Sequence, residues 1–236
     1  MGGTGIGSTF IRNVESLSSI PLVMKTLHHT ARPDISVEFF GKKLDMPILA
    51  APIGGVRFNM SGQISEAEYL ESVVQGARSA GSLACTGDGE LDEIFEASVH
   101  QIGAVGGEAL PFIKPWGGEM VNQRISEIEA MGAPAFGMDV DAAGLVTLSK
   151  MGREVYPKNP TEIREICGKT ELPFIVKGIM TVEEAEAAVS AGAAGIVVSN
   201  HGGRVLDSSQ ATVEVLPSIA DAVGNSCTVL VDGGVR

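Results

Sequence analysis

The sequence predicts an α/β fold of the (β/α)8-barrel type, and three observations carry the prediction. Short apolar runs rich in Val and Ile, such as Phe174–Val176, Ile196–Val198 and Val229–Val231, are continuous rather than alternating. Strands of that kind are buried on both faces, which is the signature of a parallel sheet. Amphipathic helical stretches separate these runs at a period of about 20–35 residues, the spacing of repeated strand–helix units. Each run also ends in a polar or glycine-rich cluster: Lys177-Gly178, Ser199-Asn200-His201-Gly202-Gly203-Arg204, and Asp232-Gly233-Gly234-Val235-Arg236. In wound α/β folds, chemistry collects beyond the carboxyl ends of the strands.

The chain reads as a single domain over residues 1–236, with residues 1–45 preceding the barrel. Residues 1–20 open Gly-rich and continue into NVESLSSI, where Asn13 reads as a helix cap. Val37–Leu44 reads as a hairpin around Gly41-Lys42. The barrel strands are then Pro47–Ile53, Leu83–Thr86, Ala109–Ile113, Ala135–Asp141, Phe174–Lys177, Gly195–Ser199 and Thr228–Asp232. The helices between them are Glu66–Ala80, Leu91–Ile102, Met120–Met131, Thr161–Cys167, Val182–Ala191 and Thr212–Val223. Ala142–Asn159 is long for a strand-to-helix connection and reads as an aperiodic loop of the lid type. A barrel of this kind closes with eight strands. The seven read here predict an incomplete barrel with two unpaired edges, a liability for solubility.

Composition narrows the class. Of 236 residues, 44% are hydrophobic and 19% charged, enough apolar material for a sizeable core. A net charge of −12 argues against nucleic acid or an anionic membrane surface as partner. The three cysteines, Cys85, Cys167 and Cys227, lack CxxC spacing and read as buried free thiols in a reducing, cytoplasmic setting. No apolar run approaches the roughly 20 residues of a membrane-spanning helix. The N-terminus shows neither the basic nor the apolar region of a signal peptide.

Several residues carry chemistry. His201 stands just past an apolar strand, beside glycines that allow a sharp turn, where an imidazole can take a proton at neutral pH. The alternative is a histidine that only caps its loop. Arg204 offers a guanidinium fork for a carboxylate, or a salt bridge to Asp207. Lys177 ends a strand inside the barrel mouth and needs an anionic partner. That partner is a bound anion or a carboxylate, and a Schiff-base lysine is the competing chemistry. Asp139 and Asp141 alternate along the fourth strand, which would place both on the interior face. The turn Asp232-Gly233-Gly234 with Arg236 can cradle a phosphate. Pro52, Ile53 and Gly54, at the end of the first strand, allow close approach to a flat ring.

The motifs VKGI, VSNHGGR-x-LD and DGGVR, in this order and spacing, resemble the FMN-dependent α-hydroxy-acid oxidases and dehydrogenases. The resemblance spans about Ile11 to Arg236 and is close from Pro173 onward. It implies FMN as cofactor and oxidation of a small 2-hydroxy acid to a 2-oxo acid. It also implies His201 as the active-site base, Asp141 as the residue that orients it, and Arg204 as the binder of the substrate carboxylate. Lys177 would balance charge on reduced flavin, and Pro52, Ile53, Gly54, Thr86, Gly87 and Ser199 would contact the ring. Asp232, Gly233, Gly234 and Arg236 would hold the ribityl phosphate. Asp139 stands where the family usually places a flavin-contacting threonine, an anion that Lys114 or Lys177 must offset. Pro111 and Ile113 replace a glutamine and a tyrosine, and the second substrate arginine has no counterpart unless Arg153 supplies it. Lys114 and Trp116 are candidates for the altered pocket, against readings as a surface lysine and a core tryptophan. In the family the N-terminal segment covers the lower end of the barrel, and tetramers are common. Three alternatives stay open: an FMN isomerase of the type 2 isopentenyl-diphosphate kind, a lyase or aldolase built on Lys177, and an inactive barrel fragment.

Overall fold

The computed structural model describes residues 3–235. Helix α1 (Ser8–Ser18) is followed by a two-stranded antiparallel hairpin, β1 (Val37–Phe39) and β2 (Lys42–Leu44). Phe40 and Gly41 both take left-handed backbone angles, the two-residue turn whose twist suits a hairpin. Then come β3 (Ala50–Ile53), α2 (Val56–Asn59), α3 (Glu66–Ser79), β4 (Ala84–Thr86), α4 (Asp92–Ala104), β5 (Leu110–Ile113), α5 (Gly118–Met131) and β6 (Phe136–Asp139). A 3-10 turn (Val140–Gly144) leads to α6 (Val146–Lys150) and α7 (Pro160–Cys167). The chain continues through β7 (Phe174–Ile179), α8 (Val182–Ser190), β8 (Gly195–Val198), a 3-10 turn (His201–Gly203), α9 (Thr212–Val223) and β9 (Thr228–Val231).

Strands β3 to β9 form one seven-stranded sheet in sequential order, every pair parallel. Sequential order, with right-handed crossovers to the next neighbour, keeps the helices on one side and curls the sheet. A doubly wound sheet would reverse its order at a switch point. The architecture is therefore that of a (β/α)8-type barrel, with seven of its strands present. Among the described residues β3 and β9 are the two ends of this sheet.

Alternation along the strands sorts two cores. Inside lie Leu83, Cys85, Leu110, Phe112, Ala135, Ile175 and Val197, joined by Phe39 and Leu44 of the hairpin. These positions lie mostly toward the amino ends of the strands, so the hairpin plugs that end. Outside, Ile113, Phe136, Met138, Val176, Ile196 and Val198 pack against Phe95, Ile125, Ile128, Ile163 and Ile219 of the helices. Helices α3 and α7 start with reciprocal capping boxes, Ser65 with Glu68 and Asn159 with Glu162.

Three expectations are corrected. Asn13 is not a cap: it lies within α1, buried. The N-terminal helix does not cover the lower end of the barrel. It packs on the His201 turn and the start of α9, at the carboxyl end, and the hairpin closes the other end. The stretch 142–159 is not wholly aperiodic, because Val146–Lys150 forms a short helix that buries Leu148.

Candidate active site

The inner face ends in polar residues. By alternation with Phe112, Gly137 and Ile175, the next inward positions beyond or at the strand ends are Lys114, Asp139 and Lys177. All three are buried. Lys114 Nζ lies 2.5 Å from Asp139 Oδ2, Lys177 Nζ 3.3 Å from Asp139 Oδ1, and Lys177 Nζ 3.7 Å from Asp232 Oδ2. Cation and anion thus alternate along the barrel mouth. Burial alone would raise the Asp139 carboxyl, but Lys114, Lys177 and His201 hold it well below the usual carboxylate range. Burial works against the Lys177 charge as well, and Asp139 and Asp232 more than offset it, keeping the ammonium above its ordinary value. A Schiff-base lysine needs the free amine, so this environment opposes the lyase reading.

Lys114 is positioned by Asp88, a buried carboxylate. Asp88 accepts from the Lys114 N–H (3.2 Å), from Trp116 Nε1 (2.5 Å) and from the Gly89 N–H (2.8 Å). Burial raises its pKa despite these donors. Trp116 is therefore core, while Lys114 is not a surface lysine. Arg153 does not serve as a substitute substrate arginine here. It stacks over the Trp116 ring at 5.0 Å and bonds Asp92 at 2.8 Å.

His201 opens the turn after β8 with φ 54, followed by Gly202 at 64 and Gly203 at 75. Such left-handed geometry is uncommon outside glycine and is retained where neighbours over-determine it. Three neighbours do so here. The Asn200 side chain accepts from the Gly203 N–H, the Ser199 hydroxyl from the His201 N–H, and α1 crowds Gly203 so closely that a Cβ would sit 2.6 Å from the Phe10 nitrogen. Asp207 anchors the same loop to the N-terminal segment, accepting from Ile6 N–H (2.7 Å), Ser8 Oγ (2.6 Å) and Thr9 N–H (3.2 Å). Asp207 is thus committed elsewhere and does not pair with Arg204.

His201 Nδ1 faces Asp141 at 3.1 and 3.2 Å to its two oxygens. That pairing engages Nδ1 and leaves Nε2 out of it. Burial first, and then Lys177, lower the imidazole pKa against the opposing pull of Asp141, so the ring is neutral and basic at neutral pH. Asp141 does not reach His201 by strand alternation with Asp139, as the sequence suggested. Strand β6 stops at Asp139, and Asp141 is delivered by the 3-10 turn. Gly178, at φ 110 beside a register shift in β7, makes room: a Cβ there would meet Asp141 Cβ at 2.6 Å. Arg204 is largely buried, its guanidinium 3.5 Å from Asn59 Oδ1, and burial lowers its pKa.

Asp139, Asp141 and His201 have ligand atoms within 4.8 Å of one another, a spacing a metal could use. Two lysine ammonium groups already occupy Asp139, so a further cation there would be repelled.

The other described residues of the predicted site lie on neighbouring elements. Pro52 and Ile53 end β3 and Gly54 follows it, so close to Gly87 that a Cβ on Gly87 would meet the Gly54 nitrogen at 2.9 Å. Glu66 accepts from the Gly55 and Val56 N–H groups and fixes the chain just after them. Ser199 is fully buried. Thr86 shares the outward face with Ala84, so Cys85 is the inward residue of β4. Cys85 was missed as a site neighbour because it reads as plain core. Burial, with Asp232 next, pushes its thiol up to about 12. Gly233 and Gly234 have φ 94 and 82, pressed against Thr212 and Asn13. Arg236 lies outside the described residues.

These residues fit a flavin mononucleotide. Asp232 Oδ1 is buried without a hydrogen-bond partner among the described residues, and Asp139 Oδ1 meets only the Lys177 ammonium at 3.3 Å, at a mouth that also holds Lys114. Hydrogen-bonding capacity of that kind suits a polar ring system with donors and acceptors along its edge.

Comparison with known proteins agrees. Residues 1–161 and 147–236 match the family described as FMN-dependent dehydrogenase. The chain is 29% identical to 4-hydroxymandelate oxidase of Amycolatopsis orientalis, an alignment covering 100% of the chain and 73% of that protein. It is 30% identical to L-lactate oxidase of Lacticaseibacillus rhamnosus (strain LMS2-1), covering 99% of the chain and 70% of that protein. The crystal structure of a mandelate oxidase superposes with a TM-score of 0.84 at 27% identity, covering 100% of this chain and 72% of that one. The chain belongs to the FMN-dependent dehydrogenase family, and its cofactor is FMN.

Proposed function

We propose that the chain oxidises a small 2-hydroxy acid to the 2-oxo acid. The observation that carries this reading is the His201–Asp141 pair, held at 3.1 Å beside the buried Lys177–Asp139 contact. FMN, when bound, supplies the acceptor for two electrons. His201 Nε2 takes a proton from the substrate, and the Asp141 carboxylate stabilises the imidazolium that results. Arg204 grips the substrate carboxylate through its fork. Lys177 keeps an ammonium at the mouth where negative charge accumulates. Pro52, Ile53, Gly54, Gly87 and Ser199 line the ring, with Thr86 behind them. Asp139, its two oxygens facing Lys114 and Lys177, stands at the ring edge. Asp232, Gly233, Gly234 and Arg236 hold the ribityl phosphate.

Residues 1–236 act as one domain, with residues 1–45 as a covering segment. Three free thiols support a cytoplasmic location, and among the described residues no helix is long and apolar enough to cross a membrane. Assembly into a homo-oligomer, a tetramer by resemblance, belongs to the same reading.

The test is anaerobic addition of a panel of 2-hydroxy acids to the FMN-loaded chain. Bleaching of the visible flavin band by at least one member is expected. A chain that binds FMN and is bleached by none contradicts the proposal and returns the isomerase and inactive-fragment readings.

A further inference from the structure

Lys114 has no role in the reading above, yet its ammonium makes the tightest ion pair among the described residues, 2.5 Å from Asp139 Oδ2. The pair is almost dry, with side chains 11% and 2% exposed. Asp139 uses its other oxygen toward Lys177, 3.3 Å away. One carboxylate therefore stands between two ammonium groups. A buried anion that faced Lys177 alone would cancel its charge at the place where negative charge must accumulate. With Lys114 on Asp139, the anion is shared, and Lys177 is left with Asp232, at 3.7 Å, as its looser counter-ion.

We propose that Lys114 is a positioning residue for the cofactor's charge: by offsetting Asp139, it leaves more of the Lys177 charge to stabilise the negative charge that FMN gains on two-electron reduction. This rests on FMN binding at the mouth, not on which substrate is oxidised. The geometry also accounts for an aspartate surviving at a position that faces the ring. Asp139 is tolerated there because Lys114 pairs with it at 2.5 Å. Asp88 and Trp116 hold the backbone after β5 so that the Lys114 side chain reaches inward.

The experiment uses the FMN-loaded full chain and the variants Lys114→Met, Lys114→Arg, Asp139→Asn and Lys114→Met/Asp139→Asn. Two readouts need no substrate: the midpoint potential of bound FMN, and the affinity for sulfite, which adds to the oxidised ring and leaves negative charge on it. Lys114→Met is expected to weaken sulfite binding by roughly tenfold or more, the scale of losing one strong charge partner. Its potential should fall by about 30 mV for each tenfold in the reduction equilibrium. Lys114→Arg should stay near the parent, and the double variant should recover most of the loss. Unchanged sulfite affinity and potential in Lys114→Met overturn the proposal. So does a loss that the double variant fails to recover, including failure of both to hold FMN, because packing rather than charge would then be the cause. If the parent binds FMN and sulfite but no 2-hydroxy acid reduces it, the substrate reading falls while this test still stands.

Discussion

Asn13 and Asn200 exchange two hydrogen bonds of 2.9 Å through their side-chain amides, although 187 residues separate them. The pair ties α1 to the turn that carries His201, and Asn13 Oδ1 also accepts from the Thr212 N–H at the start of α9. Removing one amide strands a buried partner, which costs about 1–3 kcal/mol. Asn13→Ala is therefore expected to lower unfolding stability by that amount in denaturant titrations and to lower kcat as the His201 turn loosens. An unchanged midpoint and unchanged kcat would show that the pair supports nothing.

The pH dependence follows from His201. Its folded pKa lies below the ordinary 6.5, with burial as the main cause. The base works when neutral, so kcat/KM should hold as pH falls through 6.5 and drop only at the lower folded value. Stability moves in the same direction. Between the folded pKa and 6.5 the unfolded chain takes up the proton first, so this group's contribution declines as pH falls through that window and is fully present above it. Asp141→Asn removes a group that raises the pKa, and should shift the kinetic limb further toward acid while costing roughly 10²–10⁴-fold in kcat. A limb that moves toward alkaline pH in this variant contradicts the assignment.

Gly178 tests the geometry rather than the charge. At φ 110, and 2.6 Å from Asp141 Cβ once a Cβ is added, Gly178→Ala has to displace either the strand or the carboxylate. A loss of about 1 kcal/mol or more of stability is expected from the backbone alone. The kcat loss should exceed what that stability change explains, because Asp141 moves away from His201. Assays well below the unfolding midpoint separate the two.

Lys177 stays protonated because Asp139 and Asp232 outweigh the effect of its burial. Borohydride with a carbonyl compound should therefore trap no adduct at neutral pH, as intact mass would report. A trapped adduct at Lys177 would mean that the amine is free and that its ion pairs are absent in solution.

The barrel was legible because its strands are buried on both faces and so appear as unbroken apolar runs. The helices were placed almost as well, since their apolar stripes and caps recur. Asp141 shows where local periodicity ran out. The alternation with Asp139 was real in the sequence, but the backbone leaves β6 after Asp139 and turns. Asn13 shows the same limit from the other side: asparagine near a helix start suggests a cap, and only tertiary structure reveals a partner far along the chain. Lys114 could be read as a surface residue because burial of a lysine is decided by its counter-ion, here Asp139, twenty-five positions on. Cys85 carries no polar signal at all, so nothing in its local pattern separates a site wall from core.

The most direct measurement is the anaerobic rate of flavin bleaching by a reactive 2-hydroxy acid, compared between the FMN-loaded chain and His201→Ala. The account predicts rapid bleaching for the parent and a rate roughly 10²–10⁴-fold lower for the variant, with FMN still bound. Bleaching of His201→Ala at the parent rate would contradict it.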